Sequence, residues 1–96
     1  MHIISKKKLR EFWETHARAK PPLEAWYQVA RAAEWESFAD VRKTFGAADQ
    51  VGRFTVFDIG GNKYRLIAAI HFDRGKLYVR HVLTHSEYDE RKWIDD

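Results

Sequence analysis

The sequence predicts an α+β domain, and two observations carry that expectation. Apolar residues recur at helical spacing through the first half of the chain, and from about Val51 they alternate at the period of a strand. Helices therefore precede strands rather than alternating with them, which is the pattern of a segregated sheet-and-helix fold. The expected order is β-α-α-β-β-β-α. A mainly antiparallel sheet is covered on one face by a helical hairpin.

Each element has its own signal. "HII" (2–4) is a short apolar strand. Ser5 is placed to cap a helix through "KKKLREFWETHARA", in which Leu9, Phe12, Trp13 and His16 share a face. Pro21 and Pro22 end that helix and suit the opening of the next. In "PPLEAWYQVARAAEW" the residues Leu23, Trp26, Tyr27, Ala30 and Ala33 form a second apolar stripe, so the two helices pair through aromatic faces. Trp13, Trp26 and Trp35 are read as packing residues. Ser37 and Asp40 have capping-box-like spacing before a short helical turn that Gly46 ends. "VGRFTVFDI", "NKYRLIAAIHF" and "KLYVRHVLT" then read as three strands, joined at Gly60-Gly61-Asn62 and Asp73-Arg74-Gly75. "HSEYDERKW" closes the chain as a short helix.

Composition bounds the function. Ninety-six residues, 45% of them hydrophobic and 15% aromatic, make one small domain spanning 1–96. With no cysteine there is no disulfide framework and no thiolate site. "MHIISKKKLREF" lacks the apolar run of a signal peptide, and no segment is long enough to span a bilayer, so a cytoplasmic location is expected by elimination. The formal charge of +3 favours an anionic partner, of which nucleic acid is the commonest.

Alternation on the middle strand sharpens this. One row, Tyr64, Leu66, Ala68, Ile70 and Phe72, suits the side beneath the helices. The opposite row begins with Lys63 and Arg65 and continues through Ile67, Ala69 and His71. On the next strand, Leu77, Val79, His81 and Leu83 are expected in the core, leaving Tyr78, Arg80 and Val82 on the open side, with Arg53 joining from the strand before. A half-open sheet with cations at one end is a plausible phosphate-binding surface. "KKK" at 6–8 opposes the dipole of its helix, so Lys6, Lys7 and Lys8 either meet RNA or form a solvated face. His81 and His85 are four apart but straddle a strand end, and no carboxylate is fixed beside them, so a metal site is not expected.

"NKYRL", "THSEYD", the opening "MHIISKKKLREFWETH" and the run "PPLEAWYQVARAAEWESFADVR" together resemble the HigB toxins, of the RelE-like superfamily of bacterial type II toxin–antitoxin systems. The resemblance covers nearly the whole chain. It implies a RelE-like fold and an endoribonuclease (an mRNA interferase) that cuts messenger RNA, usually on the translating ribosome. It also implies a HigA-type antitoxin with a helix-turn-helix domain as the inhibitor, and no cofactor.

RNA is cleaved by its own 2′-hydroxyl attacking the adjacent phosphate, so such an enzyme needs no nucleophile or metal of its own. It must withdraw one proton, deliver another and neutralise the phosphorane. Arg65 stands where the superfamily places its strand arginine, and a guanidinium holds phosphate without losing its charge. An ion pair between Arg65 and Asp58, or an acidic residue of the terminal helix, is the structural alternative. Lys63, near a strand end, is a second electrostatic candidate or a plain solvated surface lysine. His85 and Tyr88 lie where the superfamily usually places a histidine or tyrosine facing that arginine, and both are candidates for proton transfer; Tyr88 could instead stack a base or pack the terminal helix on the sheet. The superfamily's lysine pair ahead of the arginine is reduced here to Lys63, and the basic residue of the last strand-to-helix loop is His85, which leaves acid and base unassigned. RNA contacts are expected from Arg53, Arg80 and Lys6 to Lys8. The competing function is a non-catalytic RNA- or protein-binding module on the same fold.

Overall fold

The structure, a computed structural model, describes residues 1–95, without the side chain of Asp95. Its elements are β1 (His2–Ile4), α1 (Lys7–Thr15), α2 (Lys20–Ala32), α3 (Phe38–Thr44), β2 (Asp49–Val51), β3 (Phe54–Ile59), β4 (Tyr64–His71), β5 (Lys76–Thr84) and α4 (His85–Asp89). Short 3-10 turns at Ala17–Ala19, Phe72–Arg74 and Lys92–Asp95 complete the chain. The five strands form one sheet in the order β1-β5-β4-β3-β2. β1 runs parallel to β5, and every other pair is antiparallel. The α+β expectation and the antiparallel body of the sheet hold.

The first two helices pack as their stripes require. Leu9, Leu23, Trp26 and Ala30 are buried against Phe57, Leu66, Ala68, Leu77 and Val79 of the sheet. Proline occupies the first turn of α2, where its missing N–H costs nothing. The Ser37 hydroxyl accepts from the Asp40 N–H and caps α3, a seven-residue helix rather than a single turn.

Besides the terminal helix, which ends at Asp89 and gives way to a left-handed Arg91 (φ 60°) within the predicted run "HSEYDERKW", four expectations fail locally. Ser5 does not cap α1; it takes a left-handed backbone (φ 73°), and Lys6 stands at the N-cap without a side-chain bond. α1 stops at Thr15, because His16 leaves helical geometry and stacks on Phe12 at 4.2 Å. The stretch from Val51 is two strands, since Gly52, with φ 60°, opens a two-residue hairpin between β2 and β3. The fourth correction concerns β5. Ile67 pairs with His81 while Ala68 pairs with Val79, so Arg80 is an extra residue in a bulge. Beyond the bulge the faces exchange. Val82 packs into the helix-side core, whereas Leu83 joins the other face and His81 turns away from the helices.

That other face is not open along its whole length. Phe54, Val56, Ile67 and Trp93 are buried together, with Leu83 and Tyr88 packed against them. After α4 the chain folds back over the sheet, and Trp93 drops its ring edge-on to Phe54 at 6.1 Å. β4 is thus sandwiched between two apolar clusters. Trp93→Ala should cost about 3–5 kcal/mol of unfolding free energy, the range for deleting a large buried aromatic. Urea unfolding measures it; a loss below about 1 kcal/mol would show that the terminal segment is not part of the cooperative fold.

Candidate active site

The turn between β3 and β4 builds the site. Gly60 and Gly61 take left-handed conformations, φ 64° and 71°, which glycine adopts without strain. A Cβ on Gly60 would meet Pro22 and Tyr64 at ordinary contact distance, 3.5 Å, so the positive φ alone selects glycine there. This path brings Asn62 back onto the start of β4, against Arg65. The Nη1 of Arg65 donates to the carbonyls of Asn62 and Tyr64, both at 3.2 Å, and Nη2 donates to Asn62 Oδ1. Nε sits 3.1 Å from Asp58 Oδ1 in an ion pair directly across the β3–β4 ladder. Only 9% of Arg65 is accessible. A charge so buried is tolerated because its polar edge is surrounded by acceptors.

The remaining Nη2 N–H has no acceptor among the described residues. Arg65 is therefore anchored on three sides. It offers a ligand one free N–H rather than a two-pronged fork. The ion pair with Asp58 weighed in the sequence is present, and it neutralises part of the charge.

The terminal helix supplies the opposite wall. Thr84 accepts from the Glu87 N–H at 3.2 Å, and the Glu87 carboxylate accepts from the Thr84 N–H at 2.9 Å, a reciprocal cap that starts α4 at His85. Tyr88 then lies between two groups: its ring stacks on Trp93 at 5.1 Å, and the Arg65 guanidinium lies 5.2 Å from its centre. The His85 N–H donates to the Lys63 carbonyl at 3.1 Å, stitching α4 to the glycine turn. The ring Nδ1 of His85 is 2.9 Å from Asp89 Oδ2, one helical turn on. Lys63 itself is exposed and lies in the turn, just before β4. Arg65, Lys63, His85 and Tyr88 thus meet at one end of the sheet.

The other expected cations are dispersed. Lys6 covers the Tyr27 ring at 4.2 Å, on the helical side of the molecule. Lys7 is exposed, and Lys8 Nζ donates to the Arg80 carbonyl at 2.9 Å. Arg53 and Arg80 line a common cavity, but toward the far end of β4 from Arg65. Among the described residues no group of three or more His, Cys, Asp or Glu is arranged to hold a metal ion. Sequence reasoning missed Asn62 and Trp93. The signal for Asn62 was its place after two glycines; for Trp93, an aromatic in an otherwise polar tail.

Residues 19–91 match the HigB toxin family, described as the RelE-like toxic component of a toxin–antitoxin system. The chain belongs to the HigB toxin family. The match runs from the start of α2 through α4 and so includes Asn62, Arg65, His85 and Tyr88. An mRNA interferase HigB of Escherichia coli is 31% identical over 93 residues, covering 94% of this chain and 90% of that protein. The mRNA interferase HigB of Shigella flexneri is 30% identical over 92 residues, covering 93% and 88%. HigB-family membership places this toxin in a toxin–antitoxin pair. No helix among the described residues is long and apolar enough to cross a membrane.

The anchoring of Arg65 has a direct spectroscopic consequence. Its Nε–H should give a distinct, slowly exchanging NMR signal, because the guanidinium is buried and tethered. Asn62→Ala removes one tether and should speed that exchange severalfold without unfolding the domain. An Arg65 signal that exchanges as fast as those of surface arginines in the unsubstituted protein would contradict the tethered geometry.

Proposed function

We propose that this HigB-family chain is a metal-independent endoribonuclease that cuts messenger RNA on the translating ribosome, in the cytoplasm, and so arrests translation and growth. A HigA-type helix-turn-helix antitoxin, encoded beside it, holds it inactive. The observation that carries this reading is the meeting of Arg65, Lys63, His85 and Tyr88 from two distant parts of the chain. The names of the related proteins, mRNA interferases, point the same way.

In this reading the 2′-hydroxyl oxygen attacks the adjacent phosphorus as the bond to the 5′-oxygen breaks. The hydroxyl proton leaves to a base, and the departing 5′-oxygen takes a proton from an acid. The products are a 2′,3′-cyclic phosphate and a 5′-hydroxyl. The free N–H of Arg65 faces the phosphorane oxygens, with Lys63 adding charge from the turn. Because Asp89 holds Nδ1 of His85, that imidazole presents Nε2 outward for proton transfer. The Tyr88 ring is held by Arg65 and Trp93, so its hydroxyl has a fixed position for the complementary step.

Induction of the chain alone in bacteria should stop growth and create new 5′ ends in messenger RNA that carry hydroxyl groups and form in the presence of EDTA once ribosome integrity is controlled for. Ends bearing 5′-phosphate would indicate attack by water and sink the mechanism. Arg65→Ala should slow cleavage roughly a hundred- to a thousandfold, the usual effect of removing a transition-state donor, while antitoxin binding persists. If a folded Arg65→Ala protein still arrests growth at the normal rate, the arginine is purely structural and the chain's activity lies elsewhere.

A further inference from the structure

A second cationic concavity lies on the same sheet face, away from Arg65. It has a volume of about 330 Å³ and is lined by Arg53, Phe54, Ala69, Ile70, His71 and Arg80. That volume is within the range of ligand pockets, roughly 300–1,000 Å³. No carboxylate is among these lining residues; the nearest acidic residue sharing a cavity with Arg80 is Glu11, in a neighbouring concavity that Lys8 also lines. Beside it, His71 and Tyr78 meet edge to face at 5.3 Å, and Tyr78 pairs with Ala69 on the floor.

The β5 bulge adjoins this cavity. A regular strand would send residues 79, 80 and 81 to alternate faces. The extra residue leaves Arg80 bordering both this cavity and a second one shared with Lys8 and Glu11 of α1, and it pairs His81 with Ile67 of the second cluster, which is how a bulge re-aims a side chain. Arg80 is half-buried, yet its guanidinium makes no ion pair or side-chain hydrogen bond among the described residues; only its carbonyl is engaged, by Lys8. Arg65 is the opposite case, with three of its edges taken. A half-buried guanidinium beside another arginine, with aromatic rings at hand, fits an anion attached to a planar group.

We propose that this cavity is a second RNA subsite, in which Arg80 pairs with a backbone phosphate and the Tyr78–His71 pair flanks the attached base. The proposal rests on the reading of the chain as a ribonuclease and adds where a flanking nucleotide is held. A strand rises about 3.3 Å per residue, so Ala69 lies about 13 Å along β4 from Arg65. The two positions therefore hold different phosphates. A protein partner with acidic side chains is the competing occupant; single-stranded RNA is favoured because every nucleotide carries both a phosphate for the donor and a base for the stacking surface.

The test measures binding of the full chain to a fluorescent 2′-O-methyl RNA oligonucleotide, which has no free hydroxyl to attack, across a range of salt concentrations. Arg80→Gln should weaken binding about tenfold and lower the slope of log affinity against log salt by about 0.7, the value for one single-strand phosphate contact. Tyr78→Ala should weaken binding with the slope unchanged, because it removes stacking and no charge. Arg80→Lys should keep the slope. Urea unfolding shows that each variant is folded.

An unchanged slope in folded Arg80→Gln overturns the subsite, as does absence of salt-dependent binding by the unsubstituted protein. Weakened antitoxin binding with RNA binding intact assigns the cavity to the protein partner and overturns it too. Failure of the ribonuclease reading shows separately, as unsubstituted protein that leaves messenger RNA uncut whatever the slopes.

Discussion

β4 has two strands on either side of it and an apolar cluster against each face, and this fixes what each of its eight residues can be. Leu66 and Ala68 must fit beneath the helices, while Ile67 must fit beneath Trp93. A central strand covered twice has no room for a charge in its middle, so a functional cation must stand near an end. Arg65 is the second residue of the strand. There the second cluster gives way to the glycine turn, whose carbonyls can surround a guanidinium without a further buried partner being supplied. The helices, the capped α4 and the returning tail all serve to hold that position. Loss of the second cluster would leave Tyr88 without the ring that backs it, and Arg65 without the ring it lies on.

Much of this was legible one strand at a time. Alternation placed Leu66, Ala68 and Ile70 on the helix side and Arg65 and Ile67 on the other, because burial on two faces leaves a period of two in the sequence. The bulge was not legible. It is a property of two strands in register, and nothing within "KLYVRHVLT" marks Arg80 as the residue without an opposite number. His81 and Leu83 were consequently assigned to the wrong face. Gly52 did carry a turn signal, but β-branched and aromatic residues on both sides hid it in a longer run. The candidate site divides in the same way. Arg65 and Tyr88 were named through the family resemblance, since a contact between residues 65 and 88 has no local sequence signature. Asn62 escaped notice because its role depends on a side chain turned back onto its own strand.

The anchoring of Arg65 sets two electrostatic demands against each other. Donors already fixed in place stabilise developing charge without reorganising at the moment of reaction. Fixing them here requires Asn62, the Tyr64 carbonyl and Asp58, and the last of these cancels much of the field that would draw an anion in. An exposed ion pair would be worth little, but this arginine is nearly buried and water screens it poorly. Attraction at a distance must therefore come from cations that are not so paired. Lys63 stands exposed beside the site, and Arg80 stands further along the sheet with no ion pair among the described residues. On the proposed reading, capture and precision are separated: exposed or unpaired charge would raise the local concentration of a polyanion, and a tethered guanidinium would receive it. A single free arginine would be asked to do both, and the entropy of a loose side chain would count against the second.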